Sequence, residues 1–138
     1  MRALVVAALL GISAPANAAQ SNAFDLNCKI TRMTAVDGIK MTQLLNEPLD
    51  TSFRVDLAAG RYCSGGCKET KPIYRVTDAD IVFDFLQTPD DKGSERIEKV
   101  SRESGSYLSQ LWYDGRTSLI SMGSCTPSTF SGFPKRKF

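Results

Sequence analysis

Between Phe24 and Thr31 apolar residues fall at every second position. Phe24, Leu26, Cys28 and Ile30 lie on one side, and Asp25, Asn27, Lys29 and Thr31 on the other. That alternation predicts a half-buried strand with Cys28 on its inner side. The two-residue period returns at Phe53, Val55 and Leu57, with Arg54 and Asp56 facing away. Between these strands Asp37-Gly38 marks a turn. The stretch 39–46 reads either as a short helix with Met41, Leu44 and Leu45 on one face or as an irregular strand. It stops before Pro48, because proline pushes the preceding residue out of the helical region.

Further along, 73–77 and 81–86 are β-branched and aromatic runs separated by Asp78-Ala79-Asp80, as in a hairpin. The pattern places Ile81, Phe83 and Phe85 on one face, with Val82 and Leu86 flanking Asp84 on the other. Such a strand belongs in the middle of a sheet or in a barrel wall. A polar turn covers 88–93. In 94–102 the apolar Ile97 and Val100 are out of phase, which predicts a bulge between them. After a turn at Glu103-Ser104-Gly105, Tyr107, Leu111 and Tyr113 share one face and Leu108 and Trp112 the other. Asp114-Gly115 suits a two-residue type I′ hairpin, pairing Tyr113 with Arg116 and Leu111 with Ser118. The last strand runs to Cys125, and 126–138 is an irregular tail without a period. With no βαβ unit, repeat or low-complexity segment, the expected fold is all-β. It is an antiparallel meander of six to eight strands forming a small barrel or, alternatively, a sandwich.

Residues 1–18 do not follow this scheme. A short basic start, ten apolar residues from Ala3 to Ile12, and Ala16-Asn17-Ala18 read as a signal peptide cleaved after Ala18. The apolar run is well short of the roughly 20 residues that span a bilayer. Residues 19–138 then form a single β domain, exported to the periplasm or secreted, and monomeric. The chain holds 17 Lys and Arg against 15 Asp and Glu. Without Arg2 the balance is about +1. A charge so close to zero provides no field for nucleic acid or an anionic membrane.

Four cysteines in an exported chain permit complete pairing. The Ser-Gly-Gly linker lets Cys63 and Cys67 meet locally, and Cys28 with Cys125 would staple the first strand to the last. That connectivity is favoured, with Cys28–Cys63 and Cys67–Cys125 as the rival. A redox or metal role for Cys63 and Cys67 finds little support. Redox pairs are usually spaced by two residues at a helix start. The chain has no histidine, and Met33, Met41 and Met122 form no ligand motif. The missing histidine also removes Ser-His-Asp and Cys-His catalysis and His-ligated zinc. No cofactor or metal is expected.

The remaining chemistry is carboxylate and aromatic. Asp78/Asp80 and Asp90/Asp91 sit in turns, where Asp bonds to its own backbone. Asp84 interrupts an apolar strand and is expected to pair with an arginine such as Arg75. The competing reading makes it one of two catalytic carboxylates of a hydrolase. Tyr62, Tyr107, Trp112 and Tyr113 with Arg61, Arg102 and Arg116 have the composition of a binding patch. Of Trp112 and Tyr113, one is expected in the core and its neighbour on the surface. The phenylalanines of the tail are expected to cover one end of the barrel.

Two resemblances follow from particular residues. Cys28, Gly60 to Cys67, Arg102 to Tyr107 and Gly123 to Cys125 together look like the framework of small secreted bacterial proteins of unassigned function. Ser104-Gly105-Ser106-Tyr107, then Trp112-Tyr113-Asp114-Gly115 and a late Cys125, resemble the periplasmic C-type lysozyme inhibitors. In those small β-barrels a Ser-Gly loop enters the lysozyme cleft. Here Tyr107 stands one residue early and Asp114 replaces the turn lysine. Carried over, the resemblance makes Ser104 and Tyr107 contact residues, within a wider candidate set of Ser104, Gly105, Tyr107, Trp112, Arg102 and Arg116. The expected function is a non-enzymatic binding or inhibitor module of the bacterial cell envelope. Its partner is a protein or envelope ligand, with lysozyme one candidate. A carboxylate-dependent hydrolase and a structural envelope protein are the alternatives.

Overall fold

The computed structural model describes residues 21–87, 95–113 and 117–135. The expected signal peptide, the turn at 88–93 and the Asp114-Gly115 turn lie outside the described residues. Among those described, all regular structure is β. The strands are β1 (Ala23–Asp37), β2 (Lys40–Gln43), β3 (Leu49–Asp56), β4 (Arg61–Ser64) and β5 (Lys71–Pro72), then β6 (Arg75–Val76), β7 (Asp80–Gln87), β8 (Glu95–Ser101), β9 (Ser106–Tyr113) and β10 (Thr117–Thr129).

They form one antiparallel sheet in the order β5-β4-β3-β1-β10-β9-β8-β7-β6, with β2 paired to the far end of β1. The sheet curls into a half-barrel, and its two edges are brought together by one segment. Residues 71–76 pair with β4 at one end and β7 at the other. Between them Ile73 N–H donates to Gly60 O at 2.9 Å and Tyr74 N–H to Phe83 O at 3.4 Å. The curl is what lets β3 and β7, five steps apart in the sheet, touch through their side chains. Phe53 stacks on Phe83 with centroids 4.5 Å apart, and Tyr62 approaches the same ring at 4.9 Å. Leu26, Ile30, Val55, Ile81 and Val100 complete the core around these rings.

Within the segment 39–46, ambiguous in sequence, Lys40–Gln43 is a short strand and no helix forms. Pairing of Asp37 with Lys40 leaves Gly38 and Ile39 as the loop. Gly38 sits at φ +58°, which glycine reaches without a Cβ clash.

Three local expectations shift. The bulge lies in β7, between Val82 and Asp84, and not in β8. It turns both Phe83 and Asp84 inward and sends Phe85 outward, so Phe85 does not share a face with Phe83. Ile97 and Val100 are out of phase because they occupy opposite faces of an unbulged strand. At the β9–β10 connection Tyr113 pairs with Thr117 and Leu111 with Leu119. The register is therefore displaced by one from the expected hairpin, keeping Tyr107 on the inner face opposite Gly123. Finally, neither Trp112 nor Tyr113 is in the core, because their end of the hairpin extends beyond it.

Both disulfides of the favoured connectivity are present. Cys28 and Cys125 are direct cross-strand partners in β1 and β10, 97 residues apart in sequence. Cys63–Cys67 closes the short loop after β4 and is buried, at 1% and 2% exposure. Burial keeps its sulfurs from external thiols. At Gly123 β1 and β10 run so close that a Cβ would collide with the backbone carbonyl of Lys29. The tail after Thr129 crosses the outer face of β1 and β3. Ser131 bonds to the Asp25 carboxylate, and Arg54 Nη1 donates to Gly132 O at 2.8 Å. Phe130 and Phe133 pack edge to face on each other, 5.2 Å apart.

Candidate functional site

One end of the half-barrel gathers two turns. The tight turn 77–80 joins β6 to β7, and the loop 102–105 joins β8 to β9. Arg102 ties them together. Its backbone N–H donates to Ala79 O at 2.8 Å and its guanidinium to Thr77 O at 2.9 Å. The loop is held from beneath by the strand carrying Cys125. Gly105 N–H donates to Ser101 O, and Cys125 N–H donates to Gly105 O at 2.7 Å. Gly105 adopts φ +71°, and a Cβ there would lie 2.5 Å from Cys125 O. Only glycine fits, for both reasons. On top of this anchored backbone Ser104 and Ser106 are exposed, their hydroxyls 2.7 Å apart. Ser101 Oγ accepts from Ser104 N–H, and Ser104 Oγ accepts from Ser106 N–H. The result is a short exposed loop whose shape is set by hydrogen bonds within it and by the Cys28–Cys125 staple below.

Ser106 also stands opposite Ser124, which stands opposite Lys29, itself opposite Asp50. The loop is thus continuous with an open groove of about 600 Å³ on the outer face of β3, β1 and β10, lined by Asn27, Lys29, Asp50, Ser52, Ser124 and Thr126. Lys29 and Asp50 approach to 3.6 Å but are largely exposed, so their pairing adds little stability.

Tyr107 begins the strand after this loop and points the other way. It is buried at 6% exposure, and its hydroxyl donates to Glu98 Oε1 at 2.8 Å. Glu98 Oε2 faces Arg96 Nη2 at 3.4 Å, and Arg96 Nε lies 3.6 Å from Asp84 Oδ2. Asp84 therefore pairs with Arg96 of β8, not with Arg75. Tyr62 borders the same cluster. Burial, with Asp84 and Glu98 nearby, pushes its phenol up to about 12. Burial likewise raises Tyr107 well above the ordinary phenol range, reinforced by the charge and hydrogen bond of Glu98. In both cases a phenolate would lose water and meet negative charge. Sequence reasoning singled out Asp84 but missed Glu98 and Arg96. The available signal was their phase: Arg96 and Glu98 stand four and two residues before the inward Val100.

The candidate residues therefore separate. Ser104, Gly105 and Arg102 come together in the anchored loop. Tyr107 lies beneath it in the core. Trp112 is at the opposite end of β9, half-buried on the outer face, and Arg116 lies outside the described residues. Among the described residues no cluster of three or more Cys, Asp or Glu could hold a metal ion. Among the described residues no helix is long and apolar enough to cross a membrane. No protein-family model, curated protein or solved structure matches this chain.

Proposed function

We propose that this protein is an exported, non-enzymatic binding module of the bacterial envelope that presents the loop 102–106 to a protein partner. The observation carrying the reading is that this loop is exposed yet conformationally committed. Its glycine admits no substituent, its carbonyl is bonded to Cys125, and its two serines are oriented by their own backbone. Ordering a loop before binding removes an entropic cost from association, a property of recognition loops that insert into clefts. Two disulfides fit an oxidising compartment, here read as the periplasm or the exterior.

The resemblance to C-type lysozyme inhibitors makes a lysozyme cleft the first partner to test. Increasing amounts of the oxidised protein should abolish C-type lysozyme activity at about one equivalent. Ser104→Arg should remove the effect with the fold intact and only a small fall in melting temperature, from the lost bonds of the Ser104 hydroxyl. Full lysozyme activity at excess protein would discard that partner. Retention of an envelope protein by the wild type but not by Ser104→Arg would then test the broader reading, and absence of both would favour a structural role. A carboxylate-dependent hydrolase is less well supported. The two inward carboxylates, Asp84 and Glu98, are both engaged by the same Arg96 rather than left facing a cleft.

A further inference from the structure

Away from the loop, the outer face of the sheet has the wrong polarity for a surface meeting water. Phe85, Ile97, Gln110, Ile120 and Thr34 form one row of direct cross-strand partners through β7, β8, β9, β10 and β1. Cross-strand partners share a face. Because Glu98 and Val100 point inward, Ile97 points outward, and the row with it. Two residues either way along β9 are Leu108 and Trp112. Beside Leu108 stands Met122, 44% exposed, and Tyr74 extends the row by packing on Phe85 at 5.1 Å. None of these side chains belongs to the hydrophobic core. The inward positions alternating with them include Asp84, Glu98, Arg96, Ser109 and Ser121. At this end the inner face mixes those polar groups with Leu86, Leu111 and Leu119, while the outer row is largely apolar and half-buried, Thr34 at its β1 end being buried. Apolar surface outside the core marks interaction sites.

We propose that this face is the interface of a two-fold homodimer, in which the outer faces of β1, β8, β9 and β10 of two copies stack sheet on sheet. Three observations favour a second copy as the occupant. First, the face is nearly symmetric about Gln110, with an isoleucine on either side across the strands. A two-fold axis along β9 sets Ile97 on Ile120 of the partner subunit and vice versa. The same axis puts Gln110 against its own copy. An amide both donates and accepts, so it complements itself, and among the described residues the Gln110 side chain has no hydrogen-bond partner. An interface between identical patches requires this reciprocity. Second, charges on the face are few and of both signs: Arg32, Glu95 and Lys99, the last paired with Asp80 at 3.4 Å. The chain's net charge of +2 does not oppose association. Third, five strands about 4.8 Å apart with three outward positions each would cover at most roughly 500 Å² if laid flat, and the curl of the sheet lowers the area two copies bring together. That is somewhat below the about 800 Å² per partner of a standard interface, which suits a reversible dimer. Its centre at Gln110 lies six residues along the chain from Ser104, while Leu108 and Met122 bring its margin close to the loop. This departs from the monomer expected from sequence.

Sedimentation equilibrium of the full oxidised chain tests the proposal. The wild type should pass from monomer to dimer across the micromolar range. Ile97→Lys and Ile120→Lys should each weaken the dimer at least tenfold with the fold intact. Gln110→Glu gives a second, reversible readout. Two like charges would face each other across the axis, separating the copies at neutral pH and allowing reassociation once the carboxyl is protonated, whereas the wild type should show no such switch. A wild type that stays monomeric throughout, with or without binding to lipid vesicles, would overturn the proposal. So would a dimer unaffected by all three substitutions.

Discussion

At the scale of single residues, the inward face tolerates charge because Asp84, Arg96 and Glu98 are matched to one another. Tyr107 gives Glu98 a buried neutral donor, and Arg96 bridges Glu98 to Asp84. Tyr107→Phe keeps the ring in the core but withdraws that donor. It should cost about 1–3 kcal/mol, read by urea denaturation, and Glu98→Gln in the same chain should recover part of the loss. The phenols also set an alkaline limit. Folded Tyr62 holds its proton to about 12, against 10.0 when free, and Tyr107 is raised further. Between pH 10 and 12 the folded state therefore binds more protons than the unfolded one, so stability falls as pH rises through that window. Their contribution is complete below pH 10. Melting temperature followed from pH 9 to 12 should hold to about pH 10 and decline above it, with the tyrosinate absorbance of Tyr62 and Tyr107 appearing on unfolding.

At the scale of elements, alternation was sufficient to place most strands, since one face of each meets the core. Leu26, Cys28 and Ile30 are inward as their period requires, as are Phe53 and Val55. Where alternation was read too literally, a register change intervened. The β7 bulge reverses the phase after Val82, and no residue in that strand announces it. Only the pairing of Asp84 with Glu98 on the neighbouring strand reveals it. The staples act at this scale too. Cys28–Cys125 closes a span of 97 residues, so replacing both cysteines by alanine should cost about 3–5 kcal/mol in denaturant melts. Removing Cys63 and Cys67 should cost less, about 2 kcal/mol, because a short loop has little closure entropy to restrict.

At the scale of the molecule, curling of the sheet separates two surfaces along β9. The loop at its start is fixed over the Cys28–Cys125 staple. The apolar row of Ile97, Ile120, Leu108 and Trp112 lies on the outer face, outside the hydrophobic core. If the loop binds a partner and the face binds a second copy, the assembly carries two loops. Multivalent retention on a surface-bound partner should then exceed the affinity of the monomeric Ile120→Lys variant in solution.

Residue order alone determined that the chain is all-β, that its cysteines are positioned to staple it, and that histidine chemistry is absent. Those properties depend on composition and a two-residue period, both local. Tertiary structure decided which Ser-Gly backbone would be anchored, because the close approach of Gly105 to Cys125 joins residues twenty apart. It decided that Asp84 would meet Arg96 and that Tyr107 would point inward, since both depend on register between strands. It also decided that Ile97 and Ile120 would flank Gln110 in one row. A sequence period tells which residues share a face of one strand. Which faces line up across five strands, and whether that surface turns inward or outward, is set by how the sheet pairs and curls.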